Sequence, residues 1–182
     1  MIESIIITLL VAKYQKLKLK PFIQSWNMYA LCGLLLLYIG LTVSTFLGFH
    51  GLIQYRNWFQ CIVVFVFALM AGFNNLSWKR IISSLGLLLS GGFLNRIAIN
   101  LNNGKMPVFP TLSVSTGYIS HDILLDITKF SPIHTIGDYF TTKAIPLCDI
   151  FDLGFTVFSV GDLLFYIGLA VILVGVIKKI SR

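Results

Sequence analysis

The sequence predicts an all-α fold, a polytopic membrane helix bundle of about five spans with a structured outer loop of residues 100–159 between the fourth and fifth. Three observations predict it. Apolar residues make up 57% of the 182 positions, against about 45–50% in ordinary soluble domains even with glycine counted. Charged residues make up 12%, roughly half the usual quarter. The mean hydropathy is +0.87. One soluble domain of this length cannot hide that much apolar surface, whereas it would clothe roughly five helices of about 20 residues each. A soluble enzyme, a secreted disulfide scaffold and a disordered tail are excluded together.

The elements follow in order. Met1 to Ala12 is a short apolar segment carrying Glu3 and ending at Lys13, Lys16, Lys18 and Lys20. Its charges follow the apolar stretch and no small-residue cleavage site comes after it, so it reads as a short or tilted first span rather than a signal peptide. The remaining spans are expected over 28–49, 58–75, 81–99 and 160–177, giving three regions: 1–99 with four spans, the loop 100–159, and 160–182 with the last span and a basic tail. Trp26, Tyr29, Trp58 and Trp78 stand at span ends, where aromatic rings favour the headgroup region.

Fourteen Lys and Arg against seven Asp and Glu give a net charge of +7. In a soluble chain this would suggest nucleic acid; here it fits the excess of basic residues in cytoplasmic loops, and no nucleic-acid partner is expected. The lysine run, Lys79-Arg80 and the C-terminal Lys178, Lys179 and Arg182 share one side if five spans are present. That side is then cytoplasmic, with the N-terminus and the 100–159 loop outside. Cys32, Cys61 and Cys148 share no metal-ligand spacing, so neither a disulfide framework nor a metal or other cofactor is implied.

Within the loop, Asn103-Gly104 is a turn signal, and Pro107 and Pro110 keep the following chain extended. Ile119 to Thr128 places Ile123, Leu124 and Ile127 at helical spacing beside His121, Asp122 and Asp126, which predicts a short amphipathic helix resting on the membrane surface.

Four features could carry chemistry. Asn95 and Arg96 lie near the outer end of the fourth span after Gly91-Gly92. An arginine there either snorkels to the headgroups or pairs with Asp138, Asp149, Asp152 or Asp162. Ser159-Val160-Gly161-Asp162 reads as a capping box at the start of the last span; the competing reading makes Asp162 a catalytic or ligand-binding carboxylate. Ser120-His121-Asp122 has the letters of a hydrolase triad, but contiguous side chains cannot adopt its geometry. His121 and His134 fit no zinc or calcium spacing.

Asn95-Arg96, Asn103-Gly104-Lys105-Met106-Pro107-Val108, His121, Ile136-Gly137-Asp138 and Ser159-Val160-Gly161-Asp162 together resemble a bacterial family known only as domain of unknown function 5317. That resemblance implies a small multi-pass protein of the bacterial cell membrane without an assigned activity, and marks Asn95, Arg96, Asn103, Lys105 and His121 as candidate binding residues. Gly91-Gly92-Phe93-Leu94-Asn95-Arg96 and Phe158-Ser159-Val160-Gly161-Asp162 also resemble two motifs of lipoprotein signal peptidase. The likeness would make Asp162 one catalytic carboxylate, but the position of the first is Asn95 or Ala98, which cannot share a proton. Asp138, Asp149 or Asp152 would have to supply it, and Asp162 with Asp138 is the pair expected under a hydrolase reading. The leading expectation is a non-enzymatic subunit or accessory factor that binds a membrane-protein partner, a second copy or lipid through its outer loop. Gly33, Gly40, Gly86, Gly91, Gly92 and Gly168 would allow helices to dock. A small transporter is disfavoured, because no span shows mid-membrane charges or proline breaks.

Overall fold

The structure, a computed structural model, describes residues 1–49, 52, 55–125, 127–129 and 131–181. It is mostly helical: α1 Ile2–Tyr14, α2 Lys20–Ile23, α3 Trp26–Phe46, α4 Arg56–Phe73, α5 Trp78–Leu101, α6 Leu112–Ser115, α7 His121–Leu125 and α8 Val160–Ile180. Four short strands lie between α5 and α8: β1 Met106–Val108, β2 His134–Ile136, β3 Phe151–Asp152 and β4 Val157–Phe158.

All five expected apolar helices form, and α3, α5 and α8 are long and apolar enough to cross a membrane. The apolar part of α4, Trp58–Phe73, is shorter. The 13 residues of α1 rise only about 20 Å at 1.5 Å each, against a hydrocarbon core of about 30 Å.

Four of these helices end in the same way. Lys16, Gly48, Asn75 and Asn103 each take a positive φ, and the next amide reaches back to close a wide turn: Leu17 to the Ala12 carbonyl, Phe49 to Ser44, Leu76 to Ala71 and Gly104 to Ile99. The left-handed residue stops the helix and satisfies carbonyls that would otherwise lack partners. The turn at Asn103-Gly104 is thus the one the sequence predicts.

The chain divides into two compact units. The first comprises residues 1–40, 57–89 and 165–182. In it α8 buries Leu169, Leu173, Val176 and Ile177. Ser84 Oγ of α5 donates to the Gly168 carbonyl at 2.8 Å, and a Cβ on Gly168 would stand 3.1 Å from the Ser84 carbonyl oxygen. Asn74 Nδ2 donates to Asn27 Oδ1 at 2.9 Å and ties the end of α4 to the start of α3. A small apolar cleft of about 70 Å³ lies among Phe67, Leu88 and Leu169.

Helix α1 is inverted relative to a helix of a soluble protein, whereas α3, α4 and α8 bury large apolar side chains, among them Leu34, Phe67 and Leu173. α1 buries Ser4, Thr8 and Ala12 at intervals of four and exposes Ile6, Leu9 and Leu10; its two hydroxyls return to the carbonyls of Met1 and Ser4. α3 buries Asn27 together with Leu31, Leu34 and Tyr38 and exposes Leu36, Leu37 and Ile39. Small and polar residues inward with large apolar ones outward is the arrangement that a lipid solvent favours. In water these exposed side chains would form patches beyond those monomers carry.

Of the glycines expected to dock helices, Gly33, Gly40, Gly86 and Gly92 have nothing within 4 Å of where a Cβ would stand. Gly168 does make a close approach, as do Gly161 and Gly175, which the sequence did not single out.

The second unit comprises residues 41–56 and 90–164. Its centre is β1, which pairs in parallel with β2 in the register Met106 to His134 and Val108 to Ile136. On the other side the backbone of Asp149 pairs with β1: Phe109 N donates to Asp149 O at 2.9 Å and Asp149 N to Pro107 O at 3.0 Å. Ala98, Met106, Phe109 and Cys148 form one buried cluster. β3 and β4 form an antiparallel hairpin pairing Phe151 with Phe158. The expected amphipathic helix is shorter than predicted, with α7 ending at Leu125 and a 3-10 turn at Ile127–Lys129. Its apolar face does not face outward: Ile123 is buried with Tyr118 and Ile119, against Leu124, Ile127 and Val157. A core was available nearer than the membrane.

Candidate functional site

The first turn of α8 and the C-terminal turns of α5 meet through a polar lock. Ser159 N donates to Asp162 Oδ2 at 3.0 Å, and Asp162 N donates to Ser159 Oγ at 3.0 Å. These are the two reciprocal bonds of a capping box, which satisfy donors that a helix start leaves unpaired. Asn95 joins from α5: its Nδ2 donates to Asp162 Oδ1 at 3.1 Å, and its Oδ1 lies 2.7 Å from Ser159 Oγ. The Ser159 hydroxyl is also 2.9 Å from Asp162 Oδ2. Its single proton can go to only one of the two oxygens at a time.

Glycine makes the approach possible. A Cβ on Gly161 would run into Asn95 Oδ1 and come within 2.5 Å of the Gly91 carbonyl oxygen. Asp162 is therefore held in the capping role, on one carboxylate oxygen by its own helix start and on the other by Asn95.

Asp149 contrasts with it. Its side chain is only 5% exposed, and Oδ1 is buried with no hydrogen-bond partner among the described residues. Oδ2 lies 3.6 Å from His134 Nε2, and His134 Nδ1 is 2.5 Å from Ser131 Oγ. Burial pushes the Asp149 carboxyl well above the usual carboxylate range, and the negative charge of Asp162 pushes it further. The sheet fixes its place, since the Asp149 backbone is bonded to β1 through both its N–H and its carbonyl.

The other acidic residues organise the backbone. Asp152 accepts from Thr111 N at 2.7 Å, Ser113 N at 2.8 Å, Ser113 Oγ at 2.5 Å and Gly154 N at 2.8 Å, fastening α6 to the β3–β4 hairpin. Burial alone would raise its pKa, but the bonds from Ser113, Gly154 and Thr111 outweigh it and the net shift is downward. Asp138 is exposed and accepts from Phe140 N at 3.1 Å and Thr141 Oγ1 at 3.0 Å. It closes its own turn and makes no contact with Asp162, so the Asp162 and Asp138 pair does not form. The carboxyl in the electrostatic field of Asp162 is Asp149.

The remaining candidates are dispersed. Arg96 is exposed, and among the described residues no acidic group lies in ion-pair contact with it. The expected pairing with Asp138, Asp149, Asp152 or Asp162 is therefore not seen among the described residues, and Arg96 is left exposed. Asn103 is exposed and serves as the left-handed helix stop; Lys105 is half-buried. The side chains of His121 and Asp122, and Asp126 entirely, lie outside the described residues.

Asn102, which the sequence reading passed over, is a structural clamp: its Nδ2 donates to Ala98 O and Lys143 O, and its Oδ1 accepts from Lys143 N at 2.8 Å. Its signal was only its place just past a helix end. Among the described residues, no group of three His, Cys, Asp or Glu could hold a metal ion.

Residues 22–174 match one family, described as "Family of unknown function (DUF5317)". No curated protein and no solved structure matches the chain.

Proposed function

Because the chain belongs to this family of unknown function, we propose that it is a non-enzymatic subunit or accessory factor of the bacterial cell membrane, with its outer segment, residues 100–159, as the binding surface. Five membrane-embedded helices, an outer N-terminus and a cytoplasmic C-terminus are part of this reading, since the basic clusters then share the cytoplasmic face. The observation that carries it is the engagement of Asp138, Asp152 and Asp162 by donors of the same chain. Acids that a hydrolase would keep available for substrate serve here to hold a platform together. That platform turns apolar side chains outward, among them Leu112, Leu125, Ile133 and Leu153, as a contact surface for a partner chain does.

Purification in mild detergent at native abundance tests this. A defined chain or second copy should co-purify, and Leu125→Glu or Leu153→Glu, both at exposed positions, should release it without lowering the melting temperature. A chain that purifies alone, or a partner that neither substitution releases, would overturn the reading.

One observation favours a second reading, a membrane hydrolase of the signal peptidase type. Asp149, a buried carboxyl whose pKa is raised by burial and by the charge of Asp162, is of the kind that serves as an acid beside a second carboxylate. On this reading Asp149 takes the role expected of Asp138. A lipoprotein-cleavage assay with the purified chain decides it: turnover abolished by both Asp149→Asn and Asp162→Asn supports the hydrolase, and absence of turnover removes it.

A further inference from the structure

We propose that the turn of residues 138–143 is a lipid-interface anchor, in which Tyr139 and Phe140 enter the headgroup region of the bilayer beside the outer end of α5. This rests on the reading of α5 as a spanning helix.

Phe140 is 97% exposed and Tyr139 67%, an adjacent aromatic pair in a segment whose other exposed large apolar residues include Leu112, Ile133 and Leu153. A free loop would move two such rings inward; this one cannot. Asp138 accepts from Phe140 N and Thr141 Oγ1, Thr142 Oγ1 accepts from Asp138 N at 3.1 Å, and Thr142 N donates to Asp138 O at 2.9 Å. The Tyr139 ring rests on the buried Phe109 ring, with centroids 4.7 Å apart. The base of the turn is pinned, since Asn102 grips both the N–H and the carbonyl of Lys143.

That pin sets the depth. Asn102 directly follows Leu101, the last residue of α5, whose 24 residues rise about 36 Å and cover a core of about 30 Å with one turn to spare. Asn102 therefore sits at the edge of the headgroups. Phe140 is three residues from Lys143, within about 10 Å of the pin at roughly 3.3–3.6 Å per residue. Leu101, at the same level, is itself exposed and apolar. A tyrosine and a phenylalanine beside Lys143, with Lys105 following the same helix end, match the mixed aromatic and basic composition that favours this interface. The one acid in the turn, Asp138, accepts from Phe140 N and Thr141 Oγ1 within the turn itself. Water, a second copy and another protein would each leave a different signature.

The test uses the full chain in phosphatidylcholine and phosphatidylglycerol nanodiscs, with Cys32 and Cys61 replaced by serine. A polarity-sensitive fluorophore is placed in turn on Phe140→Cys, on Ser115→Cys and on Phe93→Cys, which is exposed within α5. At 140, nitroxide lipids labelled near the headgroup should quench at least about twofold more strongly than at 115, and iodide correspondingly less. Iodide quenching at 140 equal to that at 115 would overturn the anchor, as would a label shielded from both iodide and nitroxide lipid, the signature of a protein occupant. Position 93 separates the two levels of the argument. Quenching there with none at 140 overturns the anchor alone, whereas no lipid quenching at either position overturns the spanning helix with it.

Discussion

Asp162 accepts on both carboxylate oxygens, and that arrangement decides how its variants behave. In Asp162→Asn the new amide nitrogen would face Asn95 Nδ2, but a flip of the Asn95 amide restores a donor and acceptor match while Ser159 Oγ adjusts. The cost should be about 1 kcal/mol or less, the loss of charge assistance. Asp162→Ala leaves Asn95 and Ser159 N without acceptors and should cost about 2–3 kcal/mol. Thermal unfolding in detergent reads both, and equal losses would show that the flip does not occur. Arg96→Ala should fall within about 0.5 kcal/mol of the parent, since the side chain is exposed and touches no acid among the described residues.

Asp149 sets a pH dependence of definite sign. Its folded pKa is raised, so between about pH 4, the unfolded carboxylate value, and the folded value, the native state holds a proton that the unfolded state has released. Stability is then fully present below that window and declines as pH rises through it. Asp149→Asn, which mimics the protonated acid, should flatten the decline, leaving the contribution of His134 to be read on its own. The capping box was legible because its members are three residues apart. Asn95 stood out in the sequence but its partners did not, because Ser159 and Asp162 arrive from far along the chain, and nothing local set Asp149 apart from Asp138 and Asp152, since a buried aspartate carries no local mark.

The apolar helices were legible in sequence because lipid-facing surface demands long unbroken runs. The strands were not, since two or three residues give no period to detect, and β1 owes its place to pairing with residues 28 positions away. Glycine was the least readable element former: composition marks every glycine in a span alike, and only the neighbouring helix distinguishes them. Gly161→Ala should therefore cost about 1–3 kcal/mol by driving into Asn95 and the Gly91 carbonyl. Gly92→Ala, facing open space within the same helix system, should be neutral or stabilising by about 0.5–1 kcal/mol through reduced backbone freedom. If the two behave alike in a melting experiment, the close approach at Gly161 is wrong. In the outer segment, Asp152→Ala removes the acceptor of three backbone amides and a hydroxyl, and should cost about 3 kcal/mol. Amide exchange should accelerate first at Thr111, Ser113 and Gly154.

At the scale of the whole molecule, the distribution of lysines and arginines makes a topological prediction. In intact cells, Ser115→Cys should react with an impermeant maleimide and Lys179→Cys should react only after lysis. Protection at 115 would invert the orientation. Reaction at Ile2→Cys from outside would place α1 across the bilayer, and protection there would place the chain's N-terminus on the cytoplasmic face. The lock at the head of α8 also bears on biosynthesis. Asn95 lies 64 positions before Ser159 and 67 before Asp162, so on the proposed topology α5 would enter the bilayer with its amide unanswered while residues 100–159 are translated and exported. On that topology only insertion of the final helix would close the lock, and a chain arrested before it would stay open there.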